Sequence, residues 1–497
     1  MAADDADVGE KRPREPDGSE ESDDERPSTK QRQSKVVRRG NECPYIDTVS
    51  RQNLDFDFEK CCSVTLSRVN VYCCLVCGHY YQGRGRATPA YTHALEDDHH
   101  MFMKLESGDV WCLPDGYQVV DRSLDDIRAV LDPAFTAQEL AKADSELRWR
   151  RALDGSDYMP GLIGLNNMRA NDYANVVVQA LNRCTPLRNF FLRREKYAHC
   201  KSLVVQRFGE LVRKMWNPRA FKGQVSPHEF MHAIMDATSK RFVIDLQSDP
   251  VDLVQWLLNT LHLELTGGKR KKRSVISDNL QGELEVTTEA GTGTGEAATS
   301  ATDVVRRVPF LTLGLDLPPA PLFKDVMEEN IIPQVMLSSL LAKYDGGTVT
   351  EDVNGGRRRF RITKLPPCVI MHVKRFSRSQ FLLEKNPTVV NYPAREFNIG
   401  AAVPVPPEAQ DAKYDLAATI VHEGSTRMQA RPDVRAMPGL WSAYVHRRSE
   451  DLWYAVQDLA VTEVLPQQVV LAETYVCLWE RNEGKKETAE KQPQPGR

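Results

Sequence analysis

The sequence predicts an α+β fold in two unequal units, a small metal-stapled one followed by a large mixed one. Three observations carry that reading. Six of the eleven cysteines fall between Cys43 and Cys77. Helical spacing of apolar residues dominates the stretch that follows Met159, and strand-like alternation dominates the last third, up to about Arg481. Helices first and strands later, rather than alternating units, is the α+β pattern. At 497 residues, 41% of them apolar, the chain has material for more than one core.

Charge and hydropathy exclude several function classes. The 65 Lys and Arg against 69 Asp and Glu leave a formal net charge of −4. No global basic field therefore points to direct nucleic-acid wrapping, and any RNA contact is expected to be indirect or through local basic segments. No apolar run is long enough to span a bilayer, and the first residues, MAADDADVGEKRPREPD, lack the apolar core of a secretory signal. The expectation is a soluble, intracellular protein without membrane contact. An odd number of clustered cysteines in a reducing compartment reads as metal ligation rather than a disulfide framework.

Residues 1–40 hold no aromatic, leucine or isoleucine. They cannot bury enough apolar surface to offset ordering entropy and are expected to be disordered. Acids dominate up to Glu25, then Arg26, Lys30, Arg32, Lys35, Arg38 and Arg39 follow without one, a pattern that permits nuclear import. Residues 41–133 form the expected metal-bound unit, and 134–158 a helical connector with Thr136 as N-cap. Residues 159–482 form the large unit. In it SDPVDLVQWLLNTLH reads as a helix capped by Ser248 or Asp249, with Pro250 in the first turn and Leu253, Leu257 and Leu261 on one face. RRFRITKLPPCVIMHVKRF, DLAATIVH and YVCLWER read as strands. A basic cluster, Lys269 to Arg273, and a Gly/Thr/Ala tract mark an expected mobile insertion at about 266–303, and residues 483–497 an expected disordered tail.

The segment CLVCGHYYQGRGRATPAYTHALEDDHH sets Cys74 and Cys77 two residues apart, then His93 and His99. A Cys-x-x-Cys turn lets two thiolates grip one zinc, and two later imidazoles complete a tetrahedron. On spacing alone His100 serves as well as His99. Cys61, Cys62 and Cys73 read as small core residues, and His79 as a surface one.

The CLxCG turn, Gly83-Arg84, His93-Ala94 and the histidine pair resemble the ubiquitin-binding zinc finger of ubiquitin hydrolases. The resemblance selects His99 as the fourth ligand of one structural zinc. It also implies a pocket for the free ubiquitin C-terminus built on Arg84 and aromatics, here Tyr72 and Trp111. The Trp-Cys-x-x-Cys that often follows is reduced to Trp111, Cys112, Leu113 and Pro114. That departure implies a protein-docking module in place of a ubiquitin-tail pocket.

The large unit resembles the ubiquitin-specific proteases, whose papain-like fold has thumb, palm and fingers. Cleaving an isopeptide bond this way needs a thiolate, an imidazole, a group that orients the imidazole and an oxyanion donor. GLIGLNNMRANDYANVVVQAL resembles the cysteine box, and matching Gly164, Leu165, Asn167, Tyr173, Asn175 and Gln179 puts Asp172 on the cysteine. Asn167 takes the oxyanion position. GLWSAY resembles the histidine box with Leu440 on the general base, and WYAVQDLAV puts Gln457, beside Asp458, on the orienting residue. His372 and His422 match positions away from the reacting atoms, and Cys184 and Cys200 read as buried thiols. The fingers lack paired Cys-x-x-Cys motifs and are expected to hold by packing alone. Together with CPYIDTVSRQNLDFDFEKCCSVTLS, CLPDGYQVVDRSLDDI and FLLEKNPTVVNYP, these motifs resemble the inactive, spliceosomal branch of the family. That resemblance implies a non-catalytic nuclear splicing factor with partners in the U4/U6.U5 tri-snRNP.

Overall fold

A computed structural model describes residues 37–39, 43–143, 148–289, 303–319, 333–351, 356–429 and 438–482. The tails expected to be disordered, 1–36 and 483–497, and the centre of the expected insertion, 290–302, lie outside the described residues. No described helix is long and apolar enough to cross a membrane.

The finger is a six-stranded sheet. In chain order its elements are β1 (Val37–Arg39), β2 (Val71–Cys74), β3 (Tyr80–Gln82), α1 (Pro89–Glu96), β4 (Met101–Lys104), β5 (Val110–Cys112) and β6 (Tyr117–Val120). The spatial order is β1-β6-β5-β4-β2-β3. β1 corrects the expected tail boundary, because Val37–Arg39 pairs in parallel with β6 and covers backbone groups that would otherwise form an open edge. The expected helical connector is also corrected. α2 (Asp125–Leu131) ends two residues before Pro133, where the ring disfavours helical geometry in the preceding residue. α3 (Ala137–Lys142) is a single short helix closed by a capping box between Thr136 and Glu139. A two-strand ribbon, β7 (Arg150–Arg151) and β8 (Asp157–Tyr158), completes the link.

The thumb follows as β9 (Gly164–Leu165), α4 (Asp172–Leu181), α5 (Thr185–Leu192), α6 (Leu203–Met215), β10 (Gln224–Val225), α7 (His228–Ala237), α8 (Pro250–Leu265) and α9 (Val275–Asn279). Asp249 caps α8 as predicted, accepting from the Val251 amide at 2.8 Å, and Leu253, Leu257 and Leu261 are fully buried. Every residue of α4 is buried, between the other helices and the palm sheet. The fingers are β11 (Gly282–Thr288), β12 (Val304–Phe310), β15 (Thr350–Glu351) and β16 (Arg357–Lys364), in the order β12-β11-β16-β15. Most of the expected insertion that is described is therefore ordered, Val275–Asn279 as α9 and Gly282–Thr288 as β11, and only residues 266–274 form a loop. The basic cluster is an exposed turn fastened by His262, whose Nδ1 meets Ser274 Oγ at 2.7 Å and whose Nε2 meets the Arg270 carbonyl at 3.0 Å. Nor is packing the whole of what holds the fingers, because Glu289 bridges Arg357 and Arg359 at 3.2 and 2.5 Å.

Before β15 lie β13 (Thr312–Asp316), β14 (Gln334–Met336) and α10 (Leu337–Leu341). After β16 come β17 (Cys368–Lys374), β18 (Phe376–Arg378), β19 (Leu382–Lys385), β20 (Val389–Asn391), β21 (Phe397–Asn398) and α11 (Ile399–Ala402). The chain closes with β22 (Lys413–Glu423), β23 (Arg427–Gln429), β24 (Leu440–Arg447), β25 (Leu452–Gln457), β26 (Ala460–Val464), α12 (Pro466–Leu471) and β27 (Thr474–Arg481). The palm sheet runs β13-β17-β27-β22-β24-β25-β26, with β21 against β22. Side chains alternate along its strands: Val476 and Leu478 enter the core shared with the thumb, Cys477 and Trp479 the core on the opposite face. Both faces are covered, which is why these strands read as nearly continuous apolar runs.

Finger and thumb are joined by buried charges. Lys214 Nζ donates to the Phe56 carbonyl at 2.8 Å and to Asp57 at 2.9 Å. Lys60 reaches Glu210 at 2.8 Å, and Arg207 reaches Glu210 and Glu229 at 2.6 and 2.8 Å. Burial alone would raise the Glu210 carboxyl, but Lys214, Lys60 and Arg207 outweigh it and hold it well below the usual carboxylate range.

Candidate functional site

Two places gather the predicted side chains. In the finger, the β2 end supplies Cys74, the turn after it Cys77, α1 supplies His93, and the segment before β4 supplies His99; one ligand atom from each lies within 4.8 Å of all the others. Gly78 holds this turn with a φ of +83°, and a Cβ there would stand 2.0 Å from the Asn53 carbonyl oxygen, so only glycine fits. His99 Nδ1 lies 3.0 Å and Cys77 Sγ 3.4 Å from His93 Nε2. His93 Nδ1 meets Asp97 at 2.6 Å. That partner directs Nε2 toward the cluster, the usual outer support of a metal-binding imidazole. Hydrogen bonding with the Cys74 thiol pushes Cys77 down and Cys74 up. Two sulfurs and two imidazole nitrogens converging on one point fit a tetrahedral zinc. His100 is committed elsewhere, Nδ1 to the Leu113 carbonyl at 2.7 Å and Nε2 to Asp98 at 2.8 Å. Cys62 and Cys73 are buried and His79 is exposed. Arg84 lies over the Trp111 ring at 3.9 Å, in contact with the cluster that contains Tyr72.

The second place is the cleft between α4 and β24. Asp172, the first residue of α4, is 4% exposed. Of the two places open to this side chain, the surface and the cleft wall, it takes the second, buried: its Oδ2 accepts from Gln247 Nε2 at 2.7 Å and from the Trp441 amide at 3.2 Å. Gln247 Nε2 also reaches the Gly439 carbonyl at 2.9 Å, which ties the thumb to the first residues of β24 across the cleft. Asp172 Oδ1 is buried without a hydrogen-bond partner. Burial pushes the Asp172 carboxyl up, against the Gln247 and Trp441 hydrogen bonds. Leu440 sits beside this link, half exposed at the head of β24.

Asn167 directs Nδ2 to Asp458 Oδ2 at 2.9 Å, and Asn175 Nδ2 reaches the other Asp458 oxygen at 2.9 Å. Asp458, in the left-handed region at φ +50°, is thus the polar centre of this wall, rather than Gln457 beside it. Asp172 and Asp458 make separate hydrogen bonds and form no carboxyl pair. His422 packs behind the cleft: a Cβ on Gly439 would stand 2.4 Å from its Nε2, and its ring meets Trp441 edge-on at 4.7 Å. His372 packs on Tyr475, and burial pushes it down to about 4. Cys184 and Cys200 are buried away from the cleft. Amides and carboxylates that bond one another supply neither a thiolate nor an imidazole relay. Gln247 and Trp441 were missed as cleft residues in the sequence; the signal available for Gln247 was its place two residues before the α8 cap.

The family described as ubiquitin carboxyl-terminal hydrolase matches residues 163–479, well over half of the chain. The chain belongs to that family. A second family, described as a Zn-finger in ubiquitin-hydrolases and other proteins, matches residues 61–124. Within the hydrolase family the chain is 43% identical to "Ubiquitin carboxyl-terminal hydrolase 39" of Homo sapiens, over 90% of this chain and 81% of the relative. It is 39% identical to "Probable mRNA-splicing protein ubp10" of Schizosaccharomyces pombe, over 88% of each chain. A crystal structure described as that of an essential yeast splicing factor superposes with a TM-score of 0.70 at 27% identity, covering 88% of this chain and all of that one. The fold is the papain-like one of ubiquitin-specific proteases, preceded by a small α+β zinc-finger domain.

Proposed function

We propose that this chain is a non-catalytic pre-mRNA splicing factor, a nuclear scaffold that assembles or stabilises the U4/U6.U5 tri-snRNP. The observation that carries the non-catalytic reading is the link from Asp172 through Gln247 to Gly439 and Trp441: the position that needs a nucleophile holds a buried carboxylate bound to the opposite wall. The splicing reading is supported by the names of the relatives at 43% and 39% identity and of the superposed structure. Cys74, Cys77, His93 and His99 would hold one structural zinc, which supplies folding energy to the finger and takes no part in a reaction. Spliceosomal proteins are the direct partners, and snRNA is reached through them or through local basic segments.

Affinity purification from nuclear extract with sequencing of the bound RNA tests this. U4, U5 and U6 RNAs are expected, and their absence overturns the splicing reading. Turnover of a ubiquitin C-terminal reporter by the purified protein overturns the non-catalytic one. A second reading, a non-cleaving ubiquitin adaptor, draws support from the exposed Arg84 stacked on Trp111. Micromolar ubiquitin binding lost in Arg84→Ala would favour it.

A further inference from the structure

Thumb and palm share one core, and in it two cysteines far apart in the sequence meet. Cys184 is the N-cap of α5, and Cys368 is the first residue of β17. Both are fully buried. Their Sγ atoms lie 2.9 Å apart although 184 positions of chain separate them. A covalent S–S bond is about 2.05 Å long, so the two sulfurs stand within about 1 Å of bonding distance. The backbone on both sides is already fixed. Cys184 donates its amide to the Leu181 carbonyl at 3.1 Å and accepts from the Arg188 amide at 2.9 Å, which holds it between α4 and α5. Cys368 pairs with Glu480 across β17 and β27. The Glu480 carboxylate in turn accepts from the Thr185 amide at 3.2 Å and the Thr185 hydroxyl at 3.3 Å. The neighbour of one cysteine is therefore pinned to the strand partner of the other. The remaining thiols of the large unit meet carbonyls instead, Cys200 that of Glu264 at 3.7 Å and Cys477 that of Met371 at 3.8 Å. Contact with Cys184 first, and burial second, push the Cys368 thiol well above its ordinary range. Cys368 thus keeps its proton, and Cys184 is the sulfur that reacts first.

We propose that Cys184 and Cys368 are an oxidation site, closed to a disulfide by hydrogen peroxide, that clamps the thumb to the palm. The Cys184 sulfur attacks one peroxide oxygen and the O–O bond breaks; the departing hydroxide takes the Cys184 proton and leaves as water. The sulfenic acid so formed faces Cys368. The Cys368 sulfur then displaces the sulfenic hydroxyl, which takes the Cys368 proton and leaves as a second water. Two electrons pass from the sulfurs to the peroxide. Full burial keeps out charged or bulky oxidants, whereas hydrogen peroxide is uncharged and little larger than water. In a reducing compartment the pair rests as thiols, and reductant restores it after oxidation.

Peroxide treatment of the full chain tests the site, followed by blocking of free thiols with N-ethylmaleimide and peptide mass mapping without reductant. A linked pair of peptides holding Cys184 and Cys368 is expected, two hydrogens lighter than their sum and lost on adding dithiothreitol. Closing so long a loop between the two halves of the unit should raise the melting midpoint by at least about 5 °C. In Cys368→Ala no linkage should form, peroxide should no longer move the melting midpoint, and dimedone should label Cys184 as the stranded sulfenic acid. The half-buried Cys61 reports that the oxidant has acted. Oxidised Cys61 with Cys184 and Cys368 both still blocked by N-ethylmaleimide overturns the proposal. So does a linkage that forms only in urea, which would belong to the unfolded chain. A linkage that leaves the melting midpoint unmoved overturns the clamp.

Discussion

The finger cluster and the cleft are built from the same kinds of polar residue and end in opposite states. In the finger, Cys74, Cys77, His93 and His99 converge within 4.8 Å with their ligand atoms turned on a common centre, while supports such as Asp97 stand outside. In the cleft, Asp172, Gln247, Asn167, Asn175 and Asp458 turn on one another, and their hydrogen bonds join thumb to palm. A site that still serves an external ligand leaves its donors without mutual saturation. A site that has lost its ligand is free to become part of the packing.

The largest expected effect lies on the finger side. Cys77→Ser removes one of four donors, and bound zinc, measured by elemental mass spectrometry, should fall from about one equivalent to near zero. Structural zinc contributes about 10 kcal/mol or more to such a unit, so the finger should unfold. Unchanged zinc content would break the comparison, because the cluster would then be packing like the cleft.

Next in size is the joint between the regions. Lys214→Ala leaves Asp57 and Glu210 buried without their shared cation and should lower stability by about 3–5 kcal/mol in urea unfolding. Glu210 also makes this joint acid-sensitive. Its folded pKa is depressed, so its contribution is present above the unfolded value, about 4.3, and is lost as pH falls below it. Finger protection in hydrogen exchange should therefore drop before that of the palm on acidification. Simultaneous loss would show that the two regions unfold as one.

How much of this was legible depended on what each residue type must do. Cys74, Cys77 and His93 were readable because few roles other than ligation need those side chains at that spacing, whereas the choice of His99 over His100 came from the family resemblance alone. The α8 cap and its buried leucines were readable because propensity and periodicity act locally. Local patterns carry no information about a partner far along the chain, and that is where the reading failed. Nothing local singles out Lys60, Glu210 and Lys214, because the partners across the joint lie about 150 residues away. The strand at Val37–Arg39 was hidden for the same reason, since its order comes from β6. Lys269 to Arg273 looked like the start of a free loop because His262, which fastens it, reads as one more residue of the α8 face. The match to the cysteine box placed Asp172 in the chain but did not tell its burial, because a lone acid seldom tolerates burial and its partners Gln247 and Trp441 lie far along the sequence.

Within the cleft, Gln247→Ala removes the amide that serves both Asp172 and the Gly439 carbonyl. Buried acceptors left unsatisfied cost about 1–3 kcal/mol, so thermal unfolding should show a clear loss with the secondary structure unchanged. No change would mean that the walls are held by apolar packing alone and that the polar link is incidental.

Asp172→Asn is the smallest change and the most discriminating. Burial raises the folded pKa of Asp172. Its favourable contribution is therefore complete below the unfolded value of about 3.9 and is lost as pH rises through the folded one, so at neutral pH the buried charge weakens the fold. Asparagine keeps an oxygen for Gln247 and the Trp441 amide and carries no charge. The variant should equal the parent near pH 4 and exceed it at pH 7 by up to about 1 kcal/mol, seen as a melting difference that grows with pH. A catalytic or ligand-binding carboxylate would behave otherwise: the variant would lose a function and gain no stability. A variant less stable than the parent at pH 7 would mean that the ionised carboxylate is held by groups outside this link, and the cleft would then resemble the finger, a site still prepared for something external.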